Sequence, residues 1–130
     1  MEMTKRMEAA GRALERLREM TDREELSDEE RDALIQRFEF CFEILWKCGT
    51  EYLLTEDGLD AASPKKVIRL LRETGVLDEE ETEQALAMAD DRNMTAHTYD
   101  ESLAKEMSER IRTHAPLMRE WHRRMMSGSH

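Results

Sequence analysis

Apolar residues recur at helical spacing along nearly the whole chain, and no segment alternates as a half-buried strand would. Met7, Ala10, Leu14 and Leu17 predict a first helix from about Thr4 to Met20. Ser27 followed three residues later by Glu30 is a capping box that opens a second helix. That helix is long, reaching about Glu56, and Gly58 ends it. It carries two apolar stripes: Leu34, Phe38, Cys41, Leu45 and Tyr52, and beside them Ile35, Phe42, Trp46 and Leu53. A face this wide predicts contact with more than one neighbour. Ser63-Pro64 starts a short third helix with Val67, Ile68 and Leu71 on its apolar side, and Gly75 stops it. Asp78 with Glu81 caps a fourth helix running to about Arg92. Leu103, Met107, Ile111, Met118, Trp121 and Met125 line a fifth, from about Glu101 to Met126, in which Pro116 should produce a kink or a break. The pattern predicts an all-α antiparallel bundle of about five helices with short connections, forming one domain over residues 1–126. The final Ser127-Gly128-Ser129-His130 reads as a cloning remnant.

Composition agrees with long, solvated, amphipathic helices. The 130 residues are 39% hydrophobic and 38% charged, with 5% aromatic. No stretch is apolar for long enough to span a bilayer. The N-terminal segment is periodic and carries acids, unlike a signal peptide. These features predict a cytoplasmic protein with no membrane partner. Cys41 and Cys48 lie seven residues apart on one predicted helix, which separates them by about 10 Å along its axis. A disulfide needs Cα atoms within about 7 Å, so the two read as reduced, buried thiols; a reactive or metal-binding pair is the alternative. The ten methionines read as core gap-fillers. Wide apolar faces in so short a chain also make a homodimer plausible.

The net charge of −10 argues against broad nucleic-acid binding and against a DNA partner, but not against an enzyme that grips one phosphodiester locally. Glu73 to Asp91 contains eight acids and no Lys or Arg. That run is either a solvated helix face or a docking surface for a basic partner.

Site-like chemistry concentrates in Asp90-Asp91-Arg92-Asn93-Met94-Thr95-Ala96-His97-Thr98-Tyr99-Asp100, read as a loop between the fourth and fifth helices. Arg supplies a permanent charge and a planar donor fork. His titrates near neutrality and can move a proton. Tyr adds a hydroxyl that can donate, accept or be modified. A plainer reading fits the same residues: Arg92 paired with a nearby acid, His97 capping the fourth helix and Tyr99 packed on the core. His114 and His122 read as surface residues of the last helix. No short His/Cys/carboxylate cluster suggests a metal, and no glycine-rich phosphate loop suggests a cofactor; the sequence therefore predicts neither.

Three blocks resemble a known family. They are Gln36 to Lys47 (QRFEFCFEILWK), Ser63 to Arg69 (SPKKVIR) and Asp91 to Glu101 (DRNMTAHTYDE). In this order they resemble the HepT-like, HEPN-domain proteins, also known as nucleotidyltransferase substrate-binding proteins, over roughly Leu34 to Ile111. The resemblance implies an all-helical domain that dimerises and brings two copies of an Arg–His motif together. It implies an MNT-type nucleotidyltransferase as partner. In the toxin–antitoxin members it implies a metal-independent ribonuclease whose motif, Arg, four residues, His, one residue, Tyr, is matched by Arg92, His97 and Tyr99. The antitoxin of such pairs, MntA-like, silences the toxin by transferring AMP to the motif tyrosine, here Tyr99. On this reading Arg92 and His97 are catalytic, Asn93 and Thr95 donate hydrogen bonds to phosphate, and Tyr99 orients the site. Two further readings stand beside it. One is a non-catalytic substrate-binding subunit of a two-component nucleotidyltransferase; the other is a structural dimer with a degenerate site.

Overall fold

A computed structural model of the chain describes residues 4–97 and 100–128. The described residues form five α-helices: α1 (Lys5–Thr21), α2 (Asp28–Asp57), α3 (Pro64–Glu73), α4 (Glu79–Met94) and α5 (Glu101–Ser127), with a 3₁₀ turn at Thr95–His97. There is no strand among them.

The starts and stops follow local chemistry. Thr4 caps α1, its hydroxyl accepting from the Met7 amide. Ser27–Glu30 and Asp78–Glu81 form complete capping boxes at α2 and α4. Pro64 opens α3 with its fixed φ, although Ser63 makes no side-chain cap there. Gly58 ends α2 at φ 66°, a left-handed conformation that side chains with a Cβ rarely adopt.

Contacts between helices fix their directions. Arg6 pairs with Glu51, and Arg37 donates to the Arg16 carbonyl, so α1 runs antiparallel to α2. His122 meets the Met7 carbonyl at 2.9 Å, and Arg112 donates to the Thr21 and Arg23 carbonyls, so α1 also runs antiparallel to α5. Lys65–Asp90 and Arg72–Glu79 set α3 against α4. The core gathers Phe38, Phe42, Leu45 and Tyr52 of α2, Leu14 and Leu17 of α1, Val67 and Ile68 of α3, and Ile111, Met118 and Trp121 of α5. Both stripes of α2 are thereby used, and only Trp46 of the residues assigned to them stays half-buried. Gly49 permits the closest approach: a Cβ there would stand 2.6 Å from Val67 Cγ1.

Three sequence expectations need correction. Of the kink or break expected at Pro116, the break does not occur: α5 is continuous through it; Pro116 is exposed, so the Arg112 carbonyl that loses its amide partner there can turn toward water. The segment read as a loop from Asp90 is helical as far as Met94 and continues into the 3₁₀ turn. His114 is buried and His122 half-buried, where the sequence alone places both on the surface. Hydrogen-bond partners on α4 and α1 compensate the desolvation of their rings. Both cysteines are buried and unpaired, as their spacing requires.

Candidate functional site

The site is built on the last turn of α4. Arg92 lies there, and its guanidinium faces two carboxylates of α2: Nη1 is 3.4 Å from Glu39 Oε2, and Nε is 3.4 Å from Glu43 Oε1. Nε is buried and makes no hydrogen bond, so charge, rather than hydrogen bonding, holds it. The plainer reading of Arg92 as an acid's partner is therefore part of its geometry.

Thr95 turns inward. Its hydroxyl donates to the Arg92 carbonyl at 2.7 Å and lies 3.5 Å from Arg92 Nη1. Asn93 and Ala96 point outward, and so does His97 at the end of the 3₁₀ turn. A small depression of about 70 Å³ beside His97 is lined by Met94, Leu103, Glu106, Met107 and Arg110. The structure thus gathers Arg92, Asn93, Thr95 and His97 at one end of α4, with Asn93 and His97 outward-facing. Thr98 and Tyr99 lie outside the described residues.

Behind this end stands a polar cluster. Asp91 is buried, and its carboxylate bridges two residues of α5: Oδ1 accepts from Arg110 Nη1 at 3.0 Å, and Oδ2 lies 2.7 Å from His114 Nε2. The Gln84 side-chain amide lies 3.4 Å from His114 Nδ1 and also donates to the Thr113 carbonyl. With a donor facing Nδ1 and an acceptor facing Nε2, the hydrogen lies on Nε2 and His114 donates to Asp91. The His114 ring also stacks on Phe38, at 6.3 Å between centroids and 20° between planes. Arg110 donates a second bond to Glu106 at 2.7 Å. The Asp91 charge, then that of Glu106, raises the Arg110 pKa above its ordinary value.

The sequence points to Arg92 and His97 and misses the groups that surround them: Glu39, Glu43, Asp91, Arg110 and His114. One signal is available. Gln84 and Asp91 are seven residues apart on α4, and Arg110 and His114 four apart on α5, so each pair shares a helix face. The facing of those two polar pairs depends on how the helices cross, which spacing alone does not give.

Elsewhere the chemistry is quiet. Burial pushes the thiols of Cys41 and Cys48 up to about 12, far from a reactive thiolate. Among the described residues, no helix is long and apolar enough to cross a membrane.

Known proteins share this architecture and sequence. The family model described as "nucleotidyltransferase substrate binding protein like" matches residues 5–127. A solved structure from Thermus thermophilus is 48% identical, with a TM-score of 0.86, over 89% of this chain and 98% of that one. No curated protein matches. With a match over almost its whole length, the chain belongs to the nucleotidyltransferase substrate binding protein like family.

Proposed function

We propose that this protein is a HEPN-type toxin of a HepT/MntA-like pair, a metal-independent endoribonuclease acting as a homodimer and silenced when its partner nucleotidyltransferase transfers AMP to Tyr99. The observation that carries the reading is the end of α4. It presents an exposed His97 five residues after an Arg92 whose guanidinium is held by two ion pairs and one long hydrogen bond to Thr95, with Nε left without a hydrogen bond.

Cleavage of RNA without a metal uses the ribose 2′-hydroxyl as nucleophile. His97 of one protomer takes its proton as the 2′-oxygen attacks phosphorus. The His97 of the second copy gives a proton to the departing 5′-oxygen, leaving a 2′,3′-cyclic phosphate and a 5′-hydroxyl. Arg92 binds the phosphate and stabilises charge on the phosphorane. To do so it exchanges two loose carboxylate contacts for a bidentate phosphate. Asn93 donates from the exposed side, and Thr95 fixes Arg92 to the end of the helix. Arg110 lines the depression beside His97, where Asp91 and Glu106 already neutralise it. AMP on Tyr99 places a negative charge and bulk beside the site and repels the RNA phosphate.

A second reading is favoured by two specific observations. Glu39 and Glu43 already neutralise Arg92, and the family description names substrate binding. On that reading the protein is a non-catalytic subunit that presents a substrate, or Tyr99 itself, to the nucleotidyltransferase. Expression in bacteria without the partner separates the two. The toxin reading expects growth arrest by the wild type and growth with Arg92→Ala or His97→Ala; arrest that persists in both variants, or no arrest with unmodified protein, contradicts it.

A further inference from the structure

Most arginines of this chain are paired with carboxylates. Three that are not, among the described residues, line one groove. Arg12 and Arg16 stand one turn apart on α1, and Arg37 faces them from α2, where its Nη1 donates to the Arg16 carbonyl at 3.0 Å. Ala9, Ala13 and Gln36 complete the floor and walls, and Phe40 stands at the edge with 59% of its surface exposed. The groove has a volume of about 780 Å³, within the range of small-molecule and nucleotide sites. In a chain with thirty acids and twenty bases, five arginines form no ion pair among the described residues, Arg12, Arg16, Arg37, Arg69 and Arg119, and three of the five converge on this groove. Small residues beneath them keep the groove open, and the Arg16 carbonyl of α1 ties Arg37 in place.

The geometry points to this α1–α2 groove as a binding site for single-stranded RNA, with phosphates on Arg12, Arg16 and Arg37 and a base stacked on Phe40. Guanidiniums along a groove track a phosphodiester chain, and an exposed aromatic at its edge offers a face to any base. Phe40 also adjoins Glu39, a partner of Arg92, in sequence, so the groove and the Arg92 end of α4 flank the same stretch of α2. The site concerns binding only and stands whether or not His97 cleaves.

The test is fluorescence anisotropy of a short labelled oligouridine with the His97→Ala protein in EDTA at low salt. Arg12 and Arg16 are exposed and make no ion pair among the described residues, so Arg12→Ala/Arg16→Ala should leave the melting temperature unchanged. It should weaken binding at least about ten-fold and flatten the log–log salt dependence by about 1.4, at roughly 0.7 for each single-strand phosphate that is no longer neutralised. Phe40→Ala should cost about five-fold or more with an unchanged salt slope. Polyglutamate should compete poorly. Equal affinity of parent and double variant, or no binding by the parent, overturns the proposal. So does polyglutamate competing as well as RNA, which would mark an acidic protein as the ligand. A double variant that changes the mass seen by light scattering but not the RNA affinity would make the groove an interface between copies, and also overturns it.

Discussion

Two kinds of contact hold α5, and they obey different physics. One is apolar: Met107, Ile111, Met118, Trp121 and Met125 are all buried. The other is polar: toward α4 the helix presents Arg110, His114 and Arg124, which meet Asp91, Gln84 and Glu81 in antiparallel register. The apolar face is non-directional and tolerates sliding; its stabilisation scales with area removed from water. The polar face is directional. Asp91 has to meet both Arg110 and His114, and a shift of one turn would leave its buried carboxylate with at most one of the two. Apolar packing therefore supplies most of the stability, and the charged seam sets where α4 stops relative to α5. Arg92 and His97 sit at that stop.

The largest stability effect should come from the apolar face. Trp121→Ala removes a fully buried ring and should cost about 3–5 kcal/mol in urea unfolding. If it costs less than the polar substitutions, the division of labour is wrong. Next in size is His114→Ala, which leaves the Asp91 carboxylate short of a donor; a loss of about 1–3 kcal/mol is expected. If the proposed ribonuclease reading holds, this variant should also cleave RNA more slowly at temperatures well below its melting point, because the Arg92 turn loses its anchor. Unchanged activity would separate the seam from the site.

Glu81→Gln should have a smaller effect. Gln still serves the capping box, so the change isolates the charge pair with Arg124, with 2.7 and 2.9 Å contacts on the two carboxylate oxygens. About 1 kcal/mol or less is expected. The hydrogen bonds from Arg124 lower the Glu81 pKa below 4.5. A carboxylate with a depressed folded pKa contributes stability fully above its unfolded value and loses it as pH falls through the folded one. Wild type and variant should thus differ most above pH 4.5 and converge in stronger acid. A gap that widens in acid would contradict the pairing. The smallest stability effect belongs to His97→Ala: an exposed side chain at the end of a turn should leave the melting temperature within a degree or so.

The same contrast explains what is legible in the sequence. Periodic apolar residues locate every helix, and Ser27–Glu30, Asp78–Glu81 and Gly58 mark ends that the structure keeps. Arg92 and His97 stand out by residue type. His114 does not, because a histidine among Ile111, Ala115 and Met118 reads as exposed unless its partner is known, and Asp91 lies 23 residues away. Pro116 misleads for a related reason: whether a proline breaks a helix depends on which side its unpaired carbonyl faces. Asp90 to Asn93 look like turn residues, whereas Asp91 is drawn inward by α5 and the helix runs on to Met94.

The most direct test of the Arg92–His97 site is incubation of purified, partner-free protein with total cellular RNA in EDTA, beside His97→Ala, after intact mass has shown Tyr99 to be unmodified. The account predicts cleavage to fragments ending in cyclic phosphate by the wild type and none by the variant. RNA left whole by the unmodified wild type, or cut equally by both, would contradict it.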